Sequence, residues 1–188
     1  AGRRAIDIEL RALAGLMARV GAPFAAACRL CLDCSGRIVI TGMGKSGHVA
    51  RKIASTFAST GTPAQFVHPA EASHGDLGMI TRDDVLLVLS NSGETAELAN
   101  LLAYAKRFSI PLIGIASRAD STLLKAADVA LLLPSVPEAC ETGIVPTTST
   151  TMNTAMIPNA RIRRPLCRSP ARIPPWECPW SWLTCAPS

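Results

Sequence analysis

Four short apolar runs, separated by segments of a different period, limit this chain more than any other feature. Residues 37–41 (RIVIT), 84–89 (DVLLVL), 111–116 (PLIGIA) and 129–133 (VALLL) are strand-length and rich in Val, Ile and Leu. A brief fifth run, 64–67, lies between the first two. Segments 46–59, 95–108 and 121–127 carry helical spacing instead. In the second of these, Leu98, Leu101, Leu102 and Ala105 fall on one face. After Asp84 the run is continuous rather than alternating, as in a strand covered on both faces. Strands alternating with helices predict βαβ units, an α/β class and a parallel sheet. Two further helices are expected over 3–20 and 24–34, with Pro23 breaking the chain between them.

Composition sets the class of core. At 48% apolar and 18% charged the chain has enough apolar surface to bury, which excludes wholesale disorder. Aromatics are 4%, so that core is aliphatic. No run approaches the roughly 20 apolar residues of a membrane span, and AGRRAIDIELRALAGL has no secretory apolar region. A cytoplasmic protein without membrane partners is expected. The net charge of +5 suggests nucleic acid until it is localised. Residues 1–156 carry 14 Lys and Arg against 13 Asp and Glu, so the excess belongs to 157–188. That tail also holds seven of the 14 prolines and all three tryptophans, with neither helical nor strand period. Proline every few residues blocks both structures. We therefore place a boundary near Ile157, between a domain over 1–156 and an irregular tail over 157–188. Unordered arginines and tryptophans give no groove-reading or stacking platform, so no nucleic-acid partner is expected.

In parallel sheets ligands bind beyond the carboxyl ends of the strands, where the strand order reverses. The loops there are informative. Gly42-Met43-Gly44-Lys45-Ser46-Gly47 fits G-x-G-x-x-G. The acidic residue that a dinucleotide site wants about 20 positions on is absent from 62–68, and Val39 stands where a Walker A loop has its first glycine. What remains is a glycine loop opening a helix, with Lys45 in it, suited to a phosphate or an anionic intermediate. The plain alternative is a tight turn with a solvated lysine. After the 84–89 run comes Ser90-Asn91-Ser92-Gly93-Glu94-Thr95. Hydroxyls and backbone N–H groups together wrap a phosphate without arginine. The plain alternative is a helix cap by Ser92, with Glu94 in the first turn. Glu97 follows two residues later. A third hydroxyl cluster, Thr147-Thr148-Ser149-Thr150-Thr151, comes after Glu138 and Pro146. Three such loops on one sheet edge point to a phosphate monoester.

Two other clusters were weighed. His68, Glu71, His74 and Asp76 are metal-capable types but lack a recognised zinc spacing, so no required metal is expected. Cys28, Cys31 and Cys34 stand at i, i+3 and i+6 of an expected helix without a fourth cysteine in register. They read as small apolar fillers rather than an iron–sulfur site.

The stretches GMGKSGHVARKIASTFASTGTPAQFVHPAEASHGDLGMI, LSNSGETAEL and VPEACETGIVPTTSTTM resemble the sugar isomerase (SIS) domain of D-arabinose-5-phosphate isomerases, over residues 1–152. The resemblance implies a five-stranded parallel sheet flanked by helices, flavodoxin-like and doubly wound, in a homotetramer. It implies interconversion of D-ribulose 5-phosphate and D-arabinose 5-phosphate through an enediol, supplying 3-deoxy-D-manno-octulosonate for lipopolysaccharide. By position it assigns catalysis to Lys45, Glu97 and Glu138. Substrate contacts fall on Gly44, Ser46, Gly61, Thr62, His68, His74, Ser90, Asn91, Ser92, Thr95, Thr148 and Ser149. No cofactor is required, and His68 matches a position associated with inhibitory zinc. Members of the family continue with a Gly-Asp-Ala-Leu-Ala-Val helix, a histidine in His-Pro-Gly-Gly and usually paired CBS domains, none of which is in this sequence. An abrupt change of composition near residue 156 is what a shifted reading frame gives. The second reading is accordingly a catalytically silent sugar-phosphate-binding module.

Overall fold

The computed structural model describes residues 2–134. Two helices, α1 (Gly2–Met17) and α2 (Ala22–Asp33), precede a repeating strand–helix pattern. It comprises β1 (Ile38–Gly42), α3 (Gly44–Ser59), β2 (Ala64–Phe66), α4 (Pro69–Ser73), β3 (Val85–Leu89), α5 (Ala99–Phe108), β4 (Leu112–Ala116), α6 (Thr122–Ala126) and β5 (Val129–Leu132). Single 3₁₀ turns lie at Asp76–Met79 and Ala96–Leu98. All strand pairs are parallel, in the order β2-β1-β3-β4-β5. The strand order reverses between β1 and β3, which pair from Ile38↔Val85 to Gly42↔Leu89.

Alternation along each strand divides the core into two layers. Ile38, Ile40, Leu87, Leu89, Ile113 and Ile115 face one way, onto Leu16 of α1, Ala27 and Cys31 of α2, and Ala50, Ile53 and Phe57 of α3. Val39, Leu86, Val88 and Leu112 face the other way, onto Ala72 of α4, Leu101, Leu102 and Ala105 of α5, and Leu123 and Leu124 of α6. β1, β3 and β4 are buried along their whole length, which explains their nearly unbroken apolar runs, while β2 and β5 are only partly buried. Each fully buried Leu or Ile contributes about 1.5–3 kcal/mol. The expected α/β class, the five parallel strands and the helices on both faces are all observed.

Several local expectations are corrected. Pro23 does not separate the first two helices but sits in the first turn of α2, where its missing N–H has no partner to lose. The helix expected over 95–108 begins as a 3₁₀ turn and becomes α-helical only at Ala99. The short helix α4 carries no period in the sequence and was not expected. Among the described residues no single helix is long and apolar enough to cross a membrane; α1 and α2 together reach that length only across an 80° bend. Cys28 and Cys31 are free thiols, the second buried, and the buried Cys34 Sγ donates to the Asp83 carbonyl at 3.4 Å. Burial, then the two neighbouring sulfurs, pushes the Cys31 thiol up to about 12, as suits an apolar filler. In the turn after α1, Arg19 Nη1 donates to the carbonyls of Leu132 and Leu133 at the carboxyl end of β5, both at 3.2 Å.

Candidate functional site

The carboxyl ends of β1 and β3 open into a cleft of about 360 Å³ lined by Met43, Lys45, Ser46, Leu89, Ser90, Asn91, Ser92 and Thr95. It lies at the strand-order reversal, where this topology places ligands. One wall is the first turn of α3. That helix is held against β1 by Gly47, where a Cβ would come within 2.6 Å of the Gly42 carbonyl oxygen. Sixteen aligned peptide units give the end of α3 a partial positive charge, to which the Lys45 side chain adds a full one. Gly44, the first residue of that helix, has φ +55°.

The other wall is the loop after β3, and its internal bonding is nearly complete. Ser90 is only 4% exposed. Its hydroxyl accepts from Gly93 N–H at 3.1 Å and bonds the Thr95 hydroxyl at 2.8 Å. Ser92 Oγ accepts from Glu94 N–H at 3.2 Å. This is a local serine turn, not the helix cap considered above; the cap position of the 3₁₀ turn is Thr95, with no side-chain cap bond. Gly93 has φ +69°, and a Cβ there would meet Ser121 Cβ at 2.5 Å. Only glycine suits that point.

The structure therefore brings together Lys45, Ser46, Ser90, Asn91, Ser92 and Thr95 from two distant segments of sequence. Among these, the hydroxyls of Ser90 and Thr95 bond each other within the loop. Glu97 lies on the adjoining 3₁₀ turn, exposed, and does not line the cleft. Glu138, Thr148 and Ser149 lie outside the described residues.

Other assigned positions are elsewhere. Gly61 and Thr62 join the end of α3 to the start of β2, so they sit at the opposite rim of the sheet from the cleft. Thr62 N–H donates to the Phe57 carbonyl at 2.9 Å, closing the helix end behind Gly61. A strand of five residues separates this point from the cleft, so the two do not line it in one chain.

His68 follows β2 and caps α4: its Nδ1 accepts from Ala70 N–H at 3.3 Å. The neutral ring then carries its proton on Nε2, leaving that nitrogen a donor. A metal on Nε2 needs the other tautomer, which would turn an N–H against the Ala70 N–H. His74 is exposed at the far end of the same five-residue helix. No group of three or more metal-ligating residues stands together among the described residues. The donor set here does not fit a zinc site at His68.

Support for the loop comes from residues the sequence did not flag. Glu94, which by sequence is expected only in the first turn of a helix, reaches Thr122, and Ser117 and Ser121 also face the loop. No spacing connects positions 94 and 122, so only the fold shows the pairing.

The comparisons with known proteins agree with this fold. A family model for the SIS domain matches residues 31–160. The arabinose 5-phosphate isomerase KdsD of Pseudomonas aeruginosa is 55% identical over 150 residues, covering 80% of this chain and 46% of the relative. KdsD of Escherichia coli K12 is 49% identical over 156 residues, covering 83% and 48%. The chain thus spans about half the length of these curated relatives. Among solved structures, an Escherichia coli CFT073 protein in complex with A5P superposes with TM-score 0.72 at 38% identity, covering 82% of this chain and 85% of the other. With the family model matching well over half its length, this chain belongs to the SIS domain family.

Proposed function

We propose that this chain binds a pentose phosphate in the cleft between β1 and β3 and interconverts D-ribulose 5-phosphate and D-arabinose 5-phosphate. The observation that carries the reading is the convergence of Lys45 with the hydroxyls of Ser46, Ser92 and Thr95 on one cleft at the strand-order reversal. The curated relatives named for this isomerisation support the substrate. The phosphate is held by the hydroxyl loop and the end of α3. A carboxylate, Glu97 or Glu138, takes the proton from C2 of the aldose, and the electron pair forms the enediol. The same proton returns to C1 while the hydroxyl proton moves from O2 to O1, giving the ketose. Such a base acts from about 3 Å. Lys45 supplies positive charge to the oxygen that becomes anionic in the enediolate.

The product would supply 3-deoxy-D-manno-octulosonate for lipopolysaccharide, in the cytoplasm. A homotetramer completes the reading, supported by the apolar side chains that α1 and the turn after it leave exposed: Ile6, Leu10, Met17 and Val20. No cofactor enters the proposed steps.

The test is incubation with D-ribulose 5-phosphate, with formation of arabinose 5-phosphate followed by NMR. Turnover lost in Lys45→Ala is the expected result. Substrate that neither turns over nor protects the chain against thermal unfolding would overturn the reading. Protection without turnover would instead make the chain a silent sugar-phosphate-binding module.

A further inference from the structure

The loop between β3 and α5 does not stand alone; it is laid on the neighbouring loop between β4 and α6. Asn91 O accepts from Ser117 N–H at 3.0 Å and from the Ser117 hydroxyl at 2.7 Å. Gly93 O accepts from Leu123 N–H at 3.1 Å. Glu94 makes the most directed contact: Oε1 accepts from Thr122 N–H at 2.8 Å and Oε2 from the Thr122 hydroxyl at 2.7 Å. Ser121 Oγ accepts from Leu124 N–H at 3.4 Å. The first three amides of α6 are therefore occupied by Glu94, Gly93 and Ser121 in turn.

We infer that Glu94 is a positioning residue for the phosphate-holding loop: its two-pronged bond to Thr122 fixes the loop segment that presents Ser92 and Thr95 to the cleft. This deepens the proposed function and rests on it for the identity of the ligand. Glu94 does not line the cleft, while its neighbours in the chain on either side of Gly93-Glu94, Ser92 and Thr95, do. Its backbone N–H is also the one that Ser92 Oγ accepts from, so displacing residue 94 releases Ser92 directly. The Thr122 hydroxyl and then its N–H hold the Glu94 carboxyl below its usual range, with smaller help from Arg118 and Lys125, so the group accepts as an anion. The chemistry of the pairing explains why a carboxylate stands here beside an anion site. Its charge is turned away from the ligand and onto a helix end that needs acceptors.

The test pairs Glu94→Ala with Glu94→Gln and reads two independent quantities. The first is backbone amide exchange of residues 91–95 in the ligand-free chain. Glu94→Ala is expected to speed it roughly tenfold relative to the strands, and Glu94→Gln, whose amide can still bond both Thr122 groups, to restore it. The second is the steady-state comparison on D-ribulose 5-phosphate. KM is expected to rise roughly three- to tenfold in Glu94→Ala with kcat little changed, and to recover in Glu94→Gln. A merely structural role would lower thermal stability and leave KM alone. Unchanged exchange, or an unchanged KM, in Glu94→Ala overturns the inference. If the unmodified chain neither binds nor converts the substrate, the proposed function fails, and the exchange measurement still decides whether Glu94 holds the loop.

Discussion

At the amino-terminal rim of the sheet, one buried carboxylate organises everything around it. Asp84 is 2% exposed. Its oxygens accept from Arg37 N–H at 2.6 Å, from Thr81 N–H at 2.8 Å and from the Thr81 hydroxyl at 3.1 Å, with the Arg37 guanidinium at 3.6 Å. Burial alone would raise this carboxyl, but those donors outweigh it and hold it below its ordinary 3.8. At the carboxyl rim of the same strands, serine and threonine hydroxyls, glycines and an exposed lysine surround a cleft. The strands between are equally apolar and equally buried at both ends. One rim thus carries a buried carboxylate closed around by its own donors, and the other, a strand's length away, a hydroxyl-lined cleft held in shape by a supporting loop.

That separation can be broken by substitutions at each rim. On the proposed mechanism, Lys45→Ala should lower turnover by at least about a hundredfold through loss of the cation at the developing oxyanion, while the melting temperature stays within a few degrees. Asp84→Asn should do the reverse: lose about 3 kcal/mol of stability in urea titrations, with the ligand affinity of the folded fraction retained. The pH dependence sharpens this. The native carboxyl lies below its unfolded value, so its contribution is complete above about pH 4 and is lost as pH falls through the native value. The stability gap between Asp84→Asn and the unmodified chain should therefore persist at neutral pH and narrow only in acid. Gly47→Ala tests a residue common to both functions, since its methyl group would push α3 off β1; about 2 kcal/mol of destabilisation and weaker ligand protection are expected together. The smallest effect belongs to neither rim's chemistry. Ser109 ends α5 at φ 53°, so Ser109→Gly should raise stability by about 0.5 kcal/mol, read from the urea midpoint.

Much of this frame was legible because its signals are local. Val85–Leu89 reads as a doubly covered strand from composition alone, and the glycines from Gly42 to Gly47 announce the tight strand-to-helix turn. The alternation of strand and helix then places the loops after β1 and β3 side by side. What was hidden depends on direction and on distant pairing. Three hydroxyls between residues 90 and 95 look equivalent in sequence, yet Ser90 is buried and binds Gly93 N–H and the Thr95 hydroxyl, while Ser92 is exposed at the cleft. Pro69 opens α4 with no apolar period, so tertiary packing of Ala72, not pattern, makes that helix.

The bond from Arg19 to the carbonyls of Leu132 and Leu133 has a consequence for how these molecules meet one another. An open sheet ends in two strands whose outer backbone groups invite a further strand from any passing chain. At one side β2 is three residues long and bounded by Pro63 and Pro69, too short and too interrupted to serve as a template. At the other side a guanidinium already occupies the carbonyls at the end of β5. Among the described residues, edge-to-edge addition is thereby disfavoured at either margin of the sheet, by brevity and proline on one side and by a cation on the other.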